Sequence, residues 1–425
     1  MGNGKVVAID TLGCKLNQAE SESLARQFAE AGCHIVHPSD GADIYILNTC
    51  TVTHIADRKS RHLLRLARRR NPNALIIATG CYAERATGEL ALIPGVDLVL
   101  GNEEKARLVQ VLQQRGVIGT SSAVCPLMLR TRSLVKVQEG CNRYCSYCIV
   151  PLVRGRECSL PLDEVVAEVK ARVETGYREV VLTGTHIGAY RPGLKLLIQR
   201  ILAETSVERL RLSSLQPQDI TAELLDLWPD ERLCRHLHLP LQSGSDSVLR
   251  RMRRRYTVAD YEAAVAMARQ AIPDVAITTD IMVGFPGETD DEFDESYRFC
   301  QRMGFANIHV FPFSERPGTL AAAMPDKVGD RVKKERSERM LKLARESTLH
   351  FREKFLGRTM TVLWEQEVDG DWVGLTDNYI RVLASSNEPL KNRLTATRLG
   401  GCNLFNASKM EPSPQSPVFG ATRIS

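Results

Sequence analysis

The chain has 425 residues, 43% of them apolar and 25% charged, which is enough for two or three folded units and excludes a disordered polymer. A net charge of +5 is too mild to identify a partner by itself, and twelve cysteines spread over this length exclude a small secreted disulfide scaffold. The opening MGNGKVVAIDTLGC has no signal peptide, no membrane-length apolar run and, with Val6 where Ser or Thr is needed, no myristoylation signal; a cytoplasmic protein with no membrane partner and with reduced thiols is expected.

Residues 5–110 alternate between strand and helix patterns. KVVAIDTLGC, ADIYILNTC and ALIIATGC read as strands, and each closes on a cysteine: Cys14, Cys50 and Cys81. Helical patterns at about 18–31 and 56–70 separate them, the second ending before Asn71-Pro72. This order predicts a parallel sheet, whose ligands bind beyond the carboxyl ends of its strands. The three cysteines would then emerge on one edge, although they stand 36 and 31 positions apart. Three thiolates gathered there could hold three irons of a [4Fe–4S] cube and leave the fourth open. A buried structural thiol is the common fate of one cysteine; three at equivalent strand ends, in the turns LGC, NTC and TGC, favour a site. Cys33, Cys125, Cys158, Cys234, Cys300 and Cys402 lack this pattern and read as packing or surface residues.

The next strand, SLVKVQEG, runs directly into EGCNRYCSYCIVP, where Cys141, Cys145 and Cys148 form C-x3-C-x2-C. Iron–sulfur clusters usually take four cysteines, so three again leave an iron free for a substrate or cofactor. The alternative is structural zinc, but zinc sites pair cysteines with a second pair or with histidines, and no such partners stand nearby. Five more strand-like runs follow: REVVLTGTH, RLRLSSLQP, RHLHLPLQS, VAITTDIMVGF and FANIHVFPFS. Amphipathic helices, for example at 162–175 and 260–271, separate most of them. Six such units predict a partial barrel with active residues at the carboxyl ends of its strands. The polar tails TGTHIG, SSLQP, QSGSD and GFPGE would form a rim around the Cys141 loop.

A long charged helix is expected over 326–356, with its 331–345 stretch a solvated face. The alternating TMTVLWEQEVDGDWVGLTDNYIRVLASS then predicts a small β-barrel with a hairpin at Asp369-Gly370, and an irregular tail follows. The basic runs RRMRRR at 250–255 and RKSRHLLRLARRR at 58–70 are candidate phosphate contacts, weighed against exposed solvated faces. His186, Tyr190 and His238 lie near strand ends and are candidates to stack on a base, although structural roles are commoner for such residues.

Taken together these motifs resemble the radical S-adenosylmethionine methylthiotransferases over nearly the whole chain. TLGCKLNQAESE and NTCTVTHIADRKSRH look like the branch acting on N6-threonylcarbamoyladenosine in tRNA. The resemblance implies a methylthiotransferase domain over 3–115, a radical core over 127–356 and a TRAM-like RNA-binding β-barrel over 357–421. It implies that Cys141, Cys145 and Cys148 hold the cluster that binds S-adenosylmethionine, and that Cys14, Cys50 and Cys81 hold an auxiliary [4Fe–4S] cluster carrying the sulfur to be inserted. Gly184, Thr185, Ser213 and Gln242 would line the cofactor. The C2–H bond of adenine is neither acidic nor joined to a leaving group, so acid–base catalysis has no purchase on it. A strongly reducing cluster that cleaves the sulfonium supplies a radical route, with the protein providing position and shielding. The implied partners are the anticodon loop of tRNA, whose position-37 adenosine is already partly unstacked, a reductant protein and a sulfur donor. The same chemistry on N6-isopentenyladenosine or on a ribosomal protein, and a non-catalytic zinc protein that binds RNA, are the alternative readings. Two departures stand out: Gln216 stands where the family often has Glu, and LKNRLTATRLGGCNLFNASK is a poor match to the closing strands of a TRAM barrel.

Overall fold

The computed structural model describes residues 4–119 and 130–400, together with the backbone of the short strand Phe419–Gly420. Cys125, Cys402, the expected irregular tail and the expected domain limits at 3, 127 and 421 fall outside these residues.

The N-terminal unit is an α/β layer built on five parallel strands. Their order is His34–Val36, Val6–Thr11, Ile44–Thr49, Leu75–Gly80 and Leu98–Val99. The three inner strands are those expected; the outer two span three and two residues and are too short to leave a periodic signal. Both faces are covered, which is why the strands read as continuous apolar runs. Ile46 and Ile77 enter one apolar cluster, whereas Leu47 and Ala78 enter the other. The first helix, Lys15–Glu30, begins directly after Cys14, and the second, His54–Arg70, starts where the Thr53 side chain accepts from Ala56 N.

Six parallel strands make the central unit. Arg132–Glu139, Glu179–Gly184 and Arg209–Leu212 pair in sequence, as do His236–His238, Ala276–Val283 and Asn307–Pro312. Isolated bridges Leu210↔Leu233 and Ser214↔His238 join the two sets, giving an open half-barrel. The pair Cys158–Ser159 adds an antiparallel edge. The helix Lys15–Glu30 lies against this barrel, with Ala19 packed on Leu134 and Val181.

The helix Asp330–Glu353 turns Met340, Leu343 and Ala344 into the barrel core and leaves ion pairs such as Arg331–Glu335 and Lys334–Glu338 in solvent. An antiparallel sheet follows, in the order Leu394–Arg398, Thr359–Val368, Asp371–Thr376, Arg381–Ala384, with Phe419–Gly420 parallel to the last. Asp369 and Gly370 both have positive φ, 52° and 89°, as a type I′ hairpin requires. The segment read as departing from the strand pattern contributes Leu394–Arg398, which pairs with residues 359–363. LTATR has the alternation of an edge strand. Among the described residues no pairing joins the two edges of this sheet into a closed barrel.

Candidate active site

The turns that carry Cys14, Cys50 and Cys81 are laced together by short polar side chains. Asn17 Nδ2 donates to the carbonyls of Leu12 and Thr49, at 2.8 and 3.0 Å, and Thr49 Oγ1 donates to the carbonyl of Thr79 at 2.6 Å. Gly13 has φ +106°, and a Cβ there would come within 2.9 Å of Cys50 Sγ, so the first turn closes onto the second only with glycine in place. Cys14 is exposed while Cys50 and Cys81 are buried. Burial pushes the Cys50 thiol up to about 12, and the neighbouring Cys14 and Cys81 sulfurs add to the shift. Burial likewise raises Cys81, against which Arg154 works: its Nε lies 3.2 Å from Cys81 Sγ.

The second trio rides on a loop that leaves the strand Arg132–Glu139. Gly140 has φ +71°, and a Cβ there would stand 1.9 Å from the carbonyl oxygen of Arg156, so the loop enters through a position that only glycine fits. Cys141 N donates to the carbonyl of Gly155, and Ser146 is held by Met252 and Arg251 carbonyls at 3.0 and 2.8 Å. Burial raises Cys141 and takes Cys148 to about 12, with the charges of the sister sulfurs adding to both. Arg254 Nη1 lies 3.5 Å from Cys145 Sγ, and another of its nitrogens donates to Gln216 Oε1. Each trio is therefore faced by one buried arginine aimed at a sulfur, an arrangement that offsets thiolate charge and suits metal–sulfur ligation. Among the described residues no three His, Cys, Asp or Glu side chains stand together as a ready metal-binding group, the two cysteine trios included.

Beside Cys14 lies a cavity of about 210 Å³ to which all three units of the chain contribute. Cys14 and Lys15 come from the N-terminal unit, Gly184, Ser213 and Asp280 from the barrel, and Tyr379 from the C-terminal sheet. Thr185 Oγ1, Ser213 Oγ and Gln242 Oε1 are buried atoms without a hydrogen-bond partner. Buried polar groups are normally satisfied; of these three, Ser213 is in the cavity's lining, where its free hydroxyl can meet a polar ligand. Gln242 holds φ +70°, uncommon for a residue with a side chain.

Charge around this cavity is dense. Glu179, fully buried, is gripped by Arg211 at 2.7 Å and faced by Arg209 and Arg132. Burial alone would raise its carboxyl, but these guanidiniums hold it down at about 2. The same arginines dock the C-terminal sheet: Arg211 donates to the carbonyls of Asp377 and Thr376, Arg209 to that of Leu375, and Arg132 pairs with Glu365. Tyr379 is thereby set 4.1 Å above the ring of His236, stacked within 8°. Burial would raise its phenol, but Lys15, Arg132 and Arg211 outweigh it and lower the pKa. Burial, with Arg211 and Lys15 beside it, lowers His236 well below its ordinary value and keeps it neutral. Burial and the two guanidiniums also lower Lys15, against Tyr379 and Asp280.

Of the three expected base-stacking residues, His238 lines the cavity and bonds Asp280 at 3.2 Å. His186 is buried instead, its Nε2 held 2.9 Å from Asp219, and Tyr190 packs in the barrel core with its hydroxyl on the Leu160 carbonyl. A 3-10 turn at Ile187–Ala189 folds both back inward, which corrects the expectation for them. The basic runs divide as well. Arg251 pairs with Glu292 and Arg254 serves Cys145, leaving Arg250, Arg253 and Arg255 exposed. On the helix His54–Arg70, Arg61 and Arg68 are engaged with Glu89 and Asp97, while Arg58, Lys59, Arg65, Arg69 and Arg70 face solvent. Lys15, Arg154, His236 and Tyr379 were not singled out from sequence, since none lies in a local pattern that announces chemistry. No helix among the described residues is long and apolar enough to cross a membrane.

Residues 135–300 match the Radical SAM superfamily and residues 6–101 match Uncharacterized protein family UPF0004. The chain is 36% identical to the threonylcarbamoyladenosine tRNA methylthiotransferase MtaB of Bacillus subtilis, across 92% of this chain and 93% of that protein. It is 37% identical to the protein of the same name from Aquifex aeolicus, across 88% and 96%. Against the tRNA-2-methylthio-N(6)-dimethylallyladenosine synthase of Syntrophotalea carbinolica the identity is 33%, across 92% and 96%. Among solved structures, the radical S-adenosylmethionine methyltransferase TsrM from Kitasatospora setae shares the fold, with a TM-score of 0.54 at 15% identity over 75% of this chain and 77% of that one.

Proposed function

The chain belongs to the tRNA methylthiotransferases built on the radical S-adenosylmethionine fold, and from that premise we propose that it inserts a methylthio group at C2 of N6-threonylcarbamoyladenosine 37 in tRNA. The observation that supports this reading is a cavity that brings Cys14 of the N-terminal trio together with Gly184 and the orphaned Ser213 at the strand ends of the half-barrel. A one-cluster enzyme has no use for the first trio. Cys141, Cys145 and Cys148 would hold one [4Fe–4S] cluster and Cys14, Cys50 and Cys81 the other, with Thr185, Ser213 and Gln242 offering hydrogen bonds to S-adenosylmethionine. When bound, these groups supply the electron, the radical and the sulfur that an unactivated C–H bond requires.

The chain's own residues position and shield. Arg154 and Arg254 each donate toward one sulfur of a trio and so fix its orientation and offset its charge. The stacked pair His236 and Tyr379 walls the cavity with planar aromatic surface, suited to an adenine that has left its stack. The exposed arginines of residues 250–255 and of the helix His54–Arg70 offer phosphate contacts on the surface. A reductant protein and a sulfur donor complete the turnover.

Mass spectrometry of tRNA nucleosides from cells with and without the gene tests the reading. Loss of the 2-methylthio form with accumulation of N6-threonylcarbamoyladenosine is the expected result. An unchanged profile overturns it.

A further inference from the structure

Apart from Lys15, the histidines and the carboxylate that line the central cavity each have a hydrogen-bond partner. His238 Nε2 is bonded to Asp280 at 3.2 Å. His236 is bonded to Thr278 at 2.9 Å and stacked on Tyr379, and His309 faces Asn307 Nδ2 at 3.2 Å. The guanidiniums just behind the wall are spent as well: Arg211 on Glu179 and two carbonyls, Arg132 on Glu365. They contribute field without offering a free donor. Lys15 is the exception. It is half-buried, it lines the cavity beside Cys14, and its ammonium has no hydrogen-bond or ion-pair partner among the described residues.

Asp280 and Tyr379 attract Lys15 through space but neither forms an ion pair with it, so a ligand that brings an anion into contact would stabilise it further. The cavity, about 210 Å³, is small enough that a base stacked on its wall would bring its substituent close to Lys15. A threonylcarbamoyl group ends in a carboxylate, whereas a dimethylallyl group is a neutral hydrocarbon. We propose that Lys15 is the specificity-determining residue that pairs with the carboxylate of the threonyl substituent, admitting the acidic substrate in preference to a neutral one. This inference rests on the function proposed above. The methionyl part of S-adenosylmethionine also ends in a carboxylate, and Ser213, one of the groups offered to that cofactor, lines the same cavity, so the cofactor forms a separate arm of the test.

Binding decides the matter without turnover. The full-length protein, as wild type, Lys15→Gln and Lys15→Arg, is titrated by fluorescence anisotropy with anticodon stem-loops carrying threonylcarbamoyladenosine, its carboxamide or dimethylallyladenosine. S-adenosylmethionine affinity is measured in parallel by calorimetry. Wild type should prefer the acid over its carboxamide about tenfold, Lys15→Gln should bind both alike, and Lys15→Arg should retain the preference. A full preference in Lys15→Gln overturns the inference and leaves the proposed function standing. So does a Lys15→Gln protein that weakens on the cofactor alone, since the carboxylate served is then the cofactor's, or one that loses all three RNAs equally, since Lys15 is then a general structural support. A wild type that favours the dimethylallyl stem-loop overturns the inference and the proposed function together.

Discussion

Arg154 Nε lies 3.2 Å from Cys81 Sγ, so the helix that follows one cysteine trio reaches back to touch the other. The same guanidinium holds Glu20 at 2.8 Å and Asn17 at 2.5 Å. The N-terminal unit is thus fastened to the barrel at the edge that carries its cysteine trio.

Replacing Arg154 with Ala strands this cluster. Glu20 keeps Lys105 at 2.5 Å but loses its second buried partner. Loss of one member of a buried charged network costs about 3 kcal/mol. A drop of that order in chemical unfolding of the metal-free chain, larger than in Arg154→Lys, is the expected result.

Ser213→Ala should act with opposite signs on stability and on binding. The hydroxyl is buried without a partner, so removing it leaves the ligand-free protein unchanged or up to about 1 kcal/mol more stable. Affinity for S-adenosylmethionine should meanwhile fall several-fold in calorimetry. A hydroxyl with a purely structural part would lower both together.

Gly140→Ala should damage one trio and spare the other. Its Cβ would collide with the Arg156 carbonyl, and its φ of +71° adds about 1 kcal/mol of backbone strain. Iron analysis after anaerobic reconstitution should find one cluster per chain in place of two, with the N-terminal one retained.

Glu179 predicts an acid-dependent loss of stability. Its carboxyl is depressed from 4.5 to about 2 in the folded chain, so its contribution is complete above pH 4.5 and disappears as pH falls through about 2. The depression corresponds to about 3 kcal/mol. Unfolding free energy measured between pH 6 and 2 should fall more steeply for the wild type than for Glu179→Gln, which starts lower and lacks this component.

The strands that end in cysteine were legible because two covered faces leave continuous apolar runs and because Gly, Asn and Thr mark the turns. The six-strand half-barrel was legible for the same reason. Where sequence reasoning lost its hold, the deciding contact was distant in the chain. Tyr379 becomes a cavity wall through Arg209 and Arg211, more than 160 positions away. Arg154 finds Cys81 across 73 positions. His186 and Tyr190 misled for a local reason: they stand near a strand end, but the turn after it rotates them into the core. The basic runs misled in part because charge alone does not distinguish Arg254, spent on Cys145, from its exposed neighbour Arg253.

The cavity wall carried by Tyr379 has a consequence for biosynthesis. All six cysteines of the two trios lie before residue 149, and the half-barrel's last strand ends at Pro312, so both trios emerge from the ribosome well before Tyr379. The cavity beside Cys14 stays open on one side until the final quarter of the chain has been made. That side is walled only when the arginines around Glu179 capture the carbonyls of Leu375, Thr376 and Asp377.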